Sequence, residues 1–244
     1  MPATPTAKRG PRCVQRPSTT KCSSEMGNDF TELVRKSYDR IAAAYAFHYA
    51  HELQHKPLDR ELLNRFTAEI KVQGNVCDMG CGPGHIARYL RDAGLAKVFG
   101  LDLSPAMVEQ ARRLNPDISF QVGNMMALHL RDGSLAGIVA FYAIVNIPES
   151  LLPTVFSEMW RVLQPEGRLL LSFHIGDEIV HPDELLGQRI SMDFFFFKPP
   201  TIRRLLEAAG FAIADVVGRE PYSPDVEYQS RRAYIFAIKP EQPA

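Results

Sequence analysis

No stretch of this 244-residue sequence comes near the roughly 18 consecutive apolar residues that a membrane-crossing helix requires. The apolar core of a secretory signal is also missing from its N-terminal part. Neither sign of charge is in excess: 28 Lys and Arg stand against 28 Asp and Glu, so no net field draws the chain to nucleic acid or to an anionic membrane. These absences lead to the expectation of a cytoplasmic protein with a small-molecule partner and no nucleic-acid or membrane partner. Cysteine is scarce. Cys13, Cys22, Cys77 and Cys81 fit neither a zinc ribbon nor a disulfide framework, so free thiols and no metal site are expected.

Large apolar side chains are nearly lacking from the first part of the chain, which is rich in Pro, Thr, Ser, Arg and Lys and has no acid before Glu25. Such a stretch buries too little surface to offset its chain entropy, and residues 1–28 are expected to be a disordered leader. One domain over residues 29–244 is expected to follow. Phe30, Leu33, Val34, Ser37, Ile41 and Tyr45 recur at intervals of three and four, which predicts a helix over 29–49, and Pro57 opens a second over 57–71. The two helices, within 29–73, have no strand before them and are expected to form a lid.

After Gly74 short apolar runs alternate with helical stretches. The strands read as 76–78, 98–102, 118–122, 137–143, 168–174, 212–217 and 233–238. Helices read as 86–93, 106–114, 151–163 and 201–209, with Ser104-Pro105 supplying an N-cap and a first-turn proline. Strands and helices in alternation imply right-handed crossovers and a doubly wound α/β, Rossmann-like sheet.

The densest local signal is Asp78-Met79-Gly80-Cys81-Gly82-Pro83-Gly84, between an apolar strand and a helix. In a doubly wound sheet such a turn lies at the carboxyl end of a strand, where ligands bind at the switch point. Glycine there also serves a purely steric purpose, so the loop needs a second signal. Asp102 supplies one. It ends the second strand 18 residues after Gly84 (102 − 84), near where a ribose-binding carboxylate belongs. A dinucleotide fingerprint, G-x-G-x-x-G, would place its third glycine where His85 stands. A carboxylate at Asp78 favours a cationic ligand over a pyrophosphate.

The stretches Val76 to Gly84, Gly100-Leu101-Asp102-Leu103-Ser104, Arg161 to Leu169 and Ser37 to Ala42 together resemble the class I S-adenosylmethionine (SAM)-dependent methyltransferases. Within them the chain is similar to the small-molecule group that includes the ubiquinone and menaquinone biosynthetic enzymes. The resemblance implies a seven-stranded, mostly parallel sheet with SAM across the carboxyl ends of the first strands. It implies that Asp78, Met79, Gly80, Cys81, Gly82 and Gly84 surround the methionine moiety, and that Asp102 holds the ribose. Leu103 and Met107 would pack on the adenine, Asn124 and Met125 would meet its amino edge, and Tyr38 would close over the methionine carboxylate. Tyr142 would also border the cofactor. Two departures from the family pattern are Asn124 and Ala136, where acids are common.

Methyl transfer from a sulfonium needs no base when the acceptor is already nucleophilic, but a hydroxyl or acidic carbon needs one. His174, at the end of the fifth strand, is the candidate. Tyr45, Asn146, His174 and Phe195 are expected to line the acceptor site, the last in an insertion over 175–200 that carries four consecutive phenylalanines. His48, His51 and His55 read as a solvated helix face. The competing functions are a nicotinamide-dependent oxidoreductase and a non-catalytic SAM-binding protein.

Overall fold

The computed structural model describes residues 23–70 and 72–241. Most of the leader expected over 1–28 therefore lies outside the described residues. The first helix, α1 (Ser23–Tyr49), begins at Ser23 rather than at residue 29. No proline occurs between Pro17 and Pro57, so nothing there forces an earlier break.

The main sheet has seven strands in the order β10-β11-β5-β4-β1-β2-β3. Its centre is β1 (Asn75–Met79), flanked in parallel by β2 (Val98–Asp102) and β4 (Leu135–Phe141). β3 (Ser119–Val122) extends one side and β5 (Leu163–His174) the other. β11 (Arg232–Ile238) is antiparallel to both its neighbours, β5 and β10 (Ala212–Arg219). The chain steps outward from β1 through β2 to β3 and then returns to β4 on the opposite side of β1. That reversal opens a crevice beyond the carboxyl ends of β1 and β4.

Burial follows position in the sheet. β4 is buried along nearly its whole length, as a strand covered on both faces must be, whereas the edge strand β10 alternates between exposed and half-buried residues. On one face, α5 (Leu152–Val162) and α6 (Pro199–Ala208) press Val155, Phe156, Met159, Ile202 and Leu206 against Ile138, Leu169 and Ile235. On the other, α2 (Pro57–Glu69), α3 (His85–Asp92) and α4 (Pro105–Leu114) bring Leu63, Phe66, Leu90 and Val108 against Val76, Val139 and Phe236. Helix α1 lies on α4, with Ile41 and Val34 packed on Met107 and Met192.

Two local differences from the sequence reading have physical causes. The helix expected to run to Leu163 ends at Val162, and β5 starts at Leu163 rather than at Arg168. Leu163 pairs with Leu135, and the chain then passes Glu166 at φ +64°, a bulge that the Gln-Pro-Glu-Gly run concealed. The segment 175–200 also holds two short hairpins: β6 (Ile179–Val180) with β9 (Phe194–Phe195), and β7 (Glu184–Leu185) with β8 (Gln188–Arg189).

A buried ion cluster joins α2 to the antiparallel edge. Arg219 reaches Asp59 at 3.2 Å and holds Glu227 through both nitrogens of its fork, while its Nε donates to the Tyr234 hydroxyl at 2.9 Å. Side-chain exposures of 8% for Arg219, 1% for Asp59 and 3% for Glu227 mean that water cannot replace a lost partner. Arg219→Ala should therefore lower the unfolding free energy by about 3–5 kcal/mol, measured by urea titration. Adding Asp59→Asn to an Arg219→Met background should cost less than Arg219→Ala alone, because one stranded charge is then removed.

Candidate functional site

Four loops after parallel strands meet at the carboxyl edge of the sheet. Those following β1, β2, β3 and β4 line a first cavity, and α1 covers it. The loop after β1 is forced through a narrow gap: a Cβ on Gly80, at φ +77°, would lie 2.5 Å from the Ala143 side chain, and one on Gly84, at φ +81°, would lie 2.7 Å from the Phe120 ring. Left-handed backbone and close approach together require glycine at both positions. The N–H groups of Gly80 and Cys81 donate to the Leu101 carbonyl at 2.7 and 3.0 Å, tying the loop to β2.

Asp102 fixes the rest. Its Oδ2 accepts from the Gly82 N–H and its Oδ1 from the Ser104 N–H, each at 2.8 Å. Asp102 also lines the cavity. Burial pushes this carboxyl up to about 6, a rise limited by the Ser104 and Gly82 hydrogen bonds. A carboxylate at the cavity wall is a hydrogen-bond acceptor for whatever donor enters.

Gly80, Cys81, Gly82, Leu103, Met107, Asn124, Met125, Tyr142, Tyr38, Tyr45 and Asn146 all line this cavity. Three expected neighbours do not. Asp78 is 1% exposed and turned beneath the loop, where its Oδ2 accepts from the Ala87 N–H at 2.9 Å in the first turn of α3. Met79 is fully buried in the core, and Gly84 forms the N-cap of α3. Asp78 and Met79 belong to β1, whose successive side chains face opposite sides of the sheet, and Gly84 already belongs to the start of α3. Asn124 Oδ1 is engaged by the Met126 N–H at 2.9 Å, which leaves the carbonyl one lone pair for an amino group.

The cover is latched by side chains. Tyr38 donates its hydroxyl to Asn146 Oδ1 at 2.7 Å, and Asn146 Nδ2 donates to the Asp193 carbonyl at 2.7 Å. One residue on, Asp39 Oδ1 accepts from the Ser104 hydroxyl at 2.6 Å and from the Ala106 N–H at 3.2 Å, docking α1 on the start of α4. With the cover down, the first cavity measures about 120 Å³.

A second cavity of about 380 Å³ adjoins the first and shares Tyr38, Tyr45, Glu52 and Tyr142 with it. His174 lines this second space, stacked on Phe196 with ring centroids 4.9 Å apart and with Nδ1 2.7 Å from the Ser230 hydroxyl. Burial, and then the Arg232 guanidinium, hold its imidazole down to about 3. A group that weakly basic is a poor proton acceptor near neutrality, which argues against the expected general base. Phe195 lines neither cavity: its ring packs against the core while its neighbours Phe194 and Phe196 face the second cavity, the alternation a short strand imposes.

Several lining residues were missed by sequence reasoning. His85, at the first position of α3, sets Nε2 2.9 Å from Glu52 Oε1. Against the cost of burial, that bond and Lys56 hold Glu52 down to about 2. Lys56, Glu227, Tyr228 and Arg232 line the second cavity. Arg232 had a readable cue. An antiparallel last strand begins at the edge where the parallel strands end, so its first residue faces the crevice. His48, His51 and His55 are exposed as expected, but they do not share a helix, since α1 ends at Tyr49 and His51 precedes a separate 3-10 turn over Glu52–His55.

Asp78 carries a prediction of its own. Burial lifts its carboxyl to about 7, so the folded chain prefers it protonated. The stability linked to that proton is present at low pH and lost as pH rises through about 7. Asp78→Asn keeps an oxygen for the Ala87 N–H and removes the titration. It should raise the melting temperature at pH 8, by about 2–4 °C for each kcal/mol regained, and change it little at pH 5.

Residues 76–167 match a family described as a methyltransferase domain. Over 141 residues the chain is 32% identical to a malonyl-[acyl-carrier protein] O-methyltransferase of Enterobacter lignolyticus, covering 57% of this chain and 55% of that protein. Over 160 residues it is 29% identical to a demethylmenaquinone methyltransferase of Lactococcus lactis, covering 63% and 60%. The chain thus spans less than two thirds of the length of these relatives. The crystal structure of magnesium protoporphyrin IX methyltransferase from Synechocystis with bound SAM superposes with a TM-score of 0.63 at 20% identity, over 86% of this chain and 97% of that one, a likeness of fold. The matched segment runs from β1 to the turn in β5 and includes the glycine loop and Asp102, so the likeness to a methyltransferase domain covers the strand-end loops that line the first cavity.

Proposed function

We propose that the chain transfers a methyl group from SAM to a small organic acceptor, with SAM in the first cavity and the acceptor in the second. The observation that carries this reading is the shared wall: Tyr142, at the end of β4, borders both spaces, so ligands in the two would meet there. Bound SAM supplies a methyl group on a sulfonium, open to in-line displacement. Asp102 accepts from the ribose hydroxyls, Gly80, Cys81 and Gly82 let the backbone approach the methionine part, and Leu103 and Met107 pack on the adenine. Asn124 and Met125 meet the adenine edge. Asp78 acts from beneath the loop by fixing the start of α3 rather than by contact with the ligand. Residues 29–73 serve as a lid, with Tyr38 as its catch, and residues 175–200 wall the acceptor site. The narrow first cavity requires α1 to lift for SAM to enter.

His174 orients the acceptor rather than taking a proton from it, and the acceptor arrives already nucleophilic, so the rate comes from proximity. A nicotinamide-dependent oxidoreductase has no support, since His85 interrupts the dinucleotide fingerprint. A non-catalytic SAM-binding protein would bind S-adenosylhomocysteine and show no turnover on any acceptor. No described helix is long and apolar enough to cross a membrane, which accords with a cytoplasmic location.

Three outcomes test the reading. Asp102→Asn keeps an acceptor for one of the two backbone N–H groups, so the fold should survive. SAM affinity by calorimetry should nevertheless fall about 10-fold to 100-fold, since each hydrogen bond to a charged acceptor is worth about 1.5–3 kcal/mol. Unchanged affinity in the folded variant would remove Asp102 from the site. Because Asp102 ionises near 6, the dissociation constant of SAM should be flat above about pH 7 and rise about tenfold by pH 5, where the protonated form no longer accepts from both hydroxyls. On a confirmed acceptor, His174→Ala should raise KM and leave kcat within a few-fold; a 10²-fold or greater loss in kcat would restore the general-base role.

A further inference from the structure

The second cavity is walled by aromatic rings, and its charged lining is Lys56 and Arg232 together with Glu52, Glu184 and Glu227. His174 and Phe196 stack at an interplanar angle of 17°, and Tyr228 meets both edge-on at centroid distances of 6.2 Å. Such a surface takes a flat, conjugated molecule. At its inner end lie Lys56, 5% exposed, and Arg232, 3% exposed, on opposite sequence elements. Lys56 Nζ lies 5.8 Å and Arg232 Cζ 5.6 Å from the centroid of the Tyr142 ring, the wall shared with the first cavity.

The carboxylates nearby are unevenly shared. Three cations, Lys56, Arg219 and Arg232, face three acids, Glu52, Asp59 and Glu227. Arg219 takes Asp59 and both oxygens of Glu227, while Glu52 pairs with Lys56 at 2.6 Å. Arg232, at 3.4 Å, shares Glu227 Oε2 with Arg219 and with Lys56, the latter at 3.7 Å. Its hydrogen bonds go to neutral groups, the Tyr228 and Ser230 carbonyls and the Ser230 hydroxyl, and its Nε donates to nothing. A buried guanidinium without a carboxylate of its own is costly, and a ligand anion would offset that cost. The depressed basicity of His174 comes first from burial; Arg232 and Lys56 add to it and Glu227 opposes it.

We propose that the acceptor is a planar, conjugated carboxylate whose anionic group pairs with Arg232, with Lys56 as second cation, beside Tyr142. This rests on the methyltransferase reading of the two cavities. The size suits one or two fused rings, since 380 Å³ is near the lower end for small-molecule sites. Arg232 offers a guanidinium charge that Glu227 meets only at 3.4 Å, and a ligand carboxylate would compete for that side of it.

The test uses the full chain saturated with S-adenosylhomocysteine and two probes of equal shape, 2-naphthoate and its neutral amide, 2-naphthamide, titrated by calorimetry. The expected result is at least tenfold tighter binding of the acid. Arg232→Gln should abolish that preference without changing the affinity for S-adenosylhomocysteine, and Arg232→Lys, which keeps the charge, should retain part of it. Equal binding of the two probes, or binding of neither, would overturn the proposal, and so would a preference that survives Arg232→Gln. If that variant does not fold, the comparison of the two probes on the unaltered chain decides alone. Failure of S-adenosylhomocysteine itself to bind would instead overturn the methyltransferase reading.

Discussion

Two backbone N–H groups from different loops converge on one carboxylate, and much of the site depends on that convergence. Asp102 holds Gly82 and Ser104 at 2.8 Å each, so the glycine loop after β1 and the start of α4 after β2 share one anchor. Ser104 in turn caps α4 by accepting from the Met107 N–H, and donates its hydroxyl to Asp39 on α1. One acidic side chain at the end of one strand thus sets the loop, the helix that follows and the docking of the cover. The anchor is buried, which pushes its carboxyl up to about 6 and makes it costly in the empty protein. Groups that are costly alone and useful when a ligand arrives are what a binding site is built from.

Sequence legibility follows locality. The strand, glycine loop and helix around residues 76–92 could be read because each constraint acts within a few residues: an apolar run, a turn that needs left-handed backbone, an amphipathic helix. Asp102 and the Ser104-Pro105 cap were legible for the same reason. The inward or outward sense of Asp78 was not, because it depends on which side of the sheet that position of β1 faces rather than on residue type. Phe195 failed similarly. Four identical residues carry no phase, and the pairing of Phe194–Phe195 with Ile179–Val180 alone sets which rings face the cavity.

The cations of the second cavity escaped because their meaning is non-local. Lys56 looks like a surface lysine before a proline, and Arg232 like the polar start of an edge strand. They come together because the last strand runs antiparallel and begins where β4 and β5 end, and because the turn between α1 and α2 folds onto that same edge. Glu52 with His85, and Asp59 with Arg219, lie 33 and 160 residues apart in sequence. No pattern of spacing encodes such pairs; the topology does.

Charged groups lie on both sides of Tyr142, and Glu52 borders both cavities. Asp78 and Asp102 lie beneath and beside the first cavity, and Lys56 and Arg232 lie at the inner end of the second. On the proposed reading, Asp102 favours a cationic donor on its side, and Lys56 and Arg232 an anionic acceptor on theirs, by Coulomb attraction. A displacement between a sulfonium and an anion loses charge on the way to its transition state, so water, which favours the separated ions, slows it. The wall between the cavities is aromatic, with Tyr38, Tyr45 and Tyr142 as its faces. Bringing the reactants together against such a wall strips water from both and weakens the stabilisation of separated charge. Three tyrosine rings share that junction with the Glu52 carboxylate, which His85 and Lys56 hold in place. On the proposed reading an acceptor that arrives nucleophilic needs no proton taken from it, which agrees with burial holding the His174 imidazole far below its ordinary basicity.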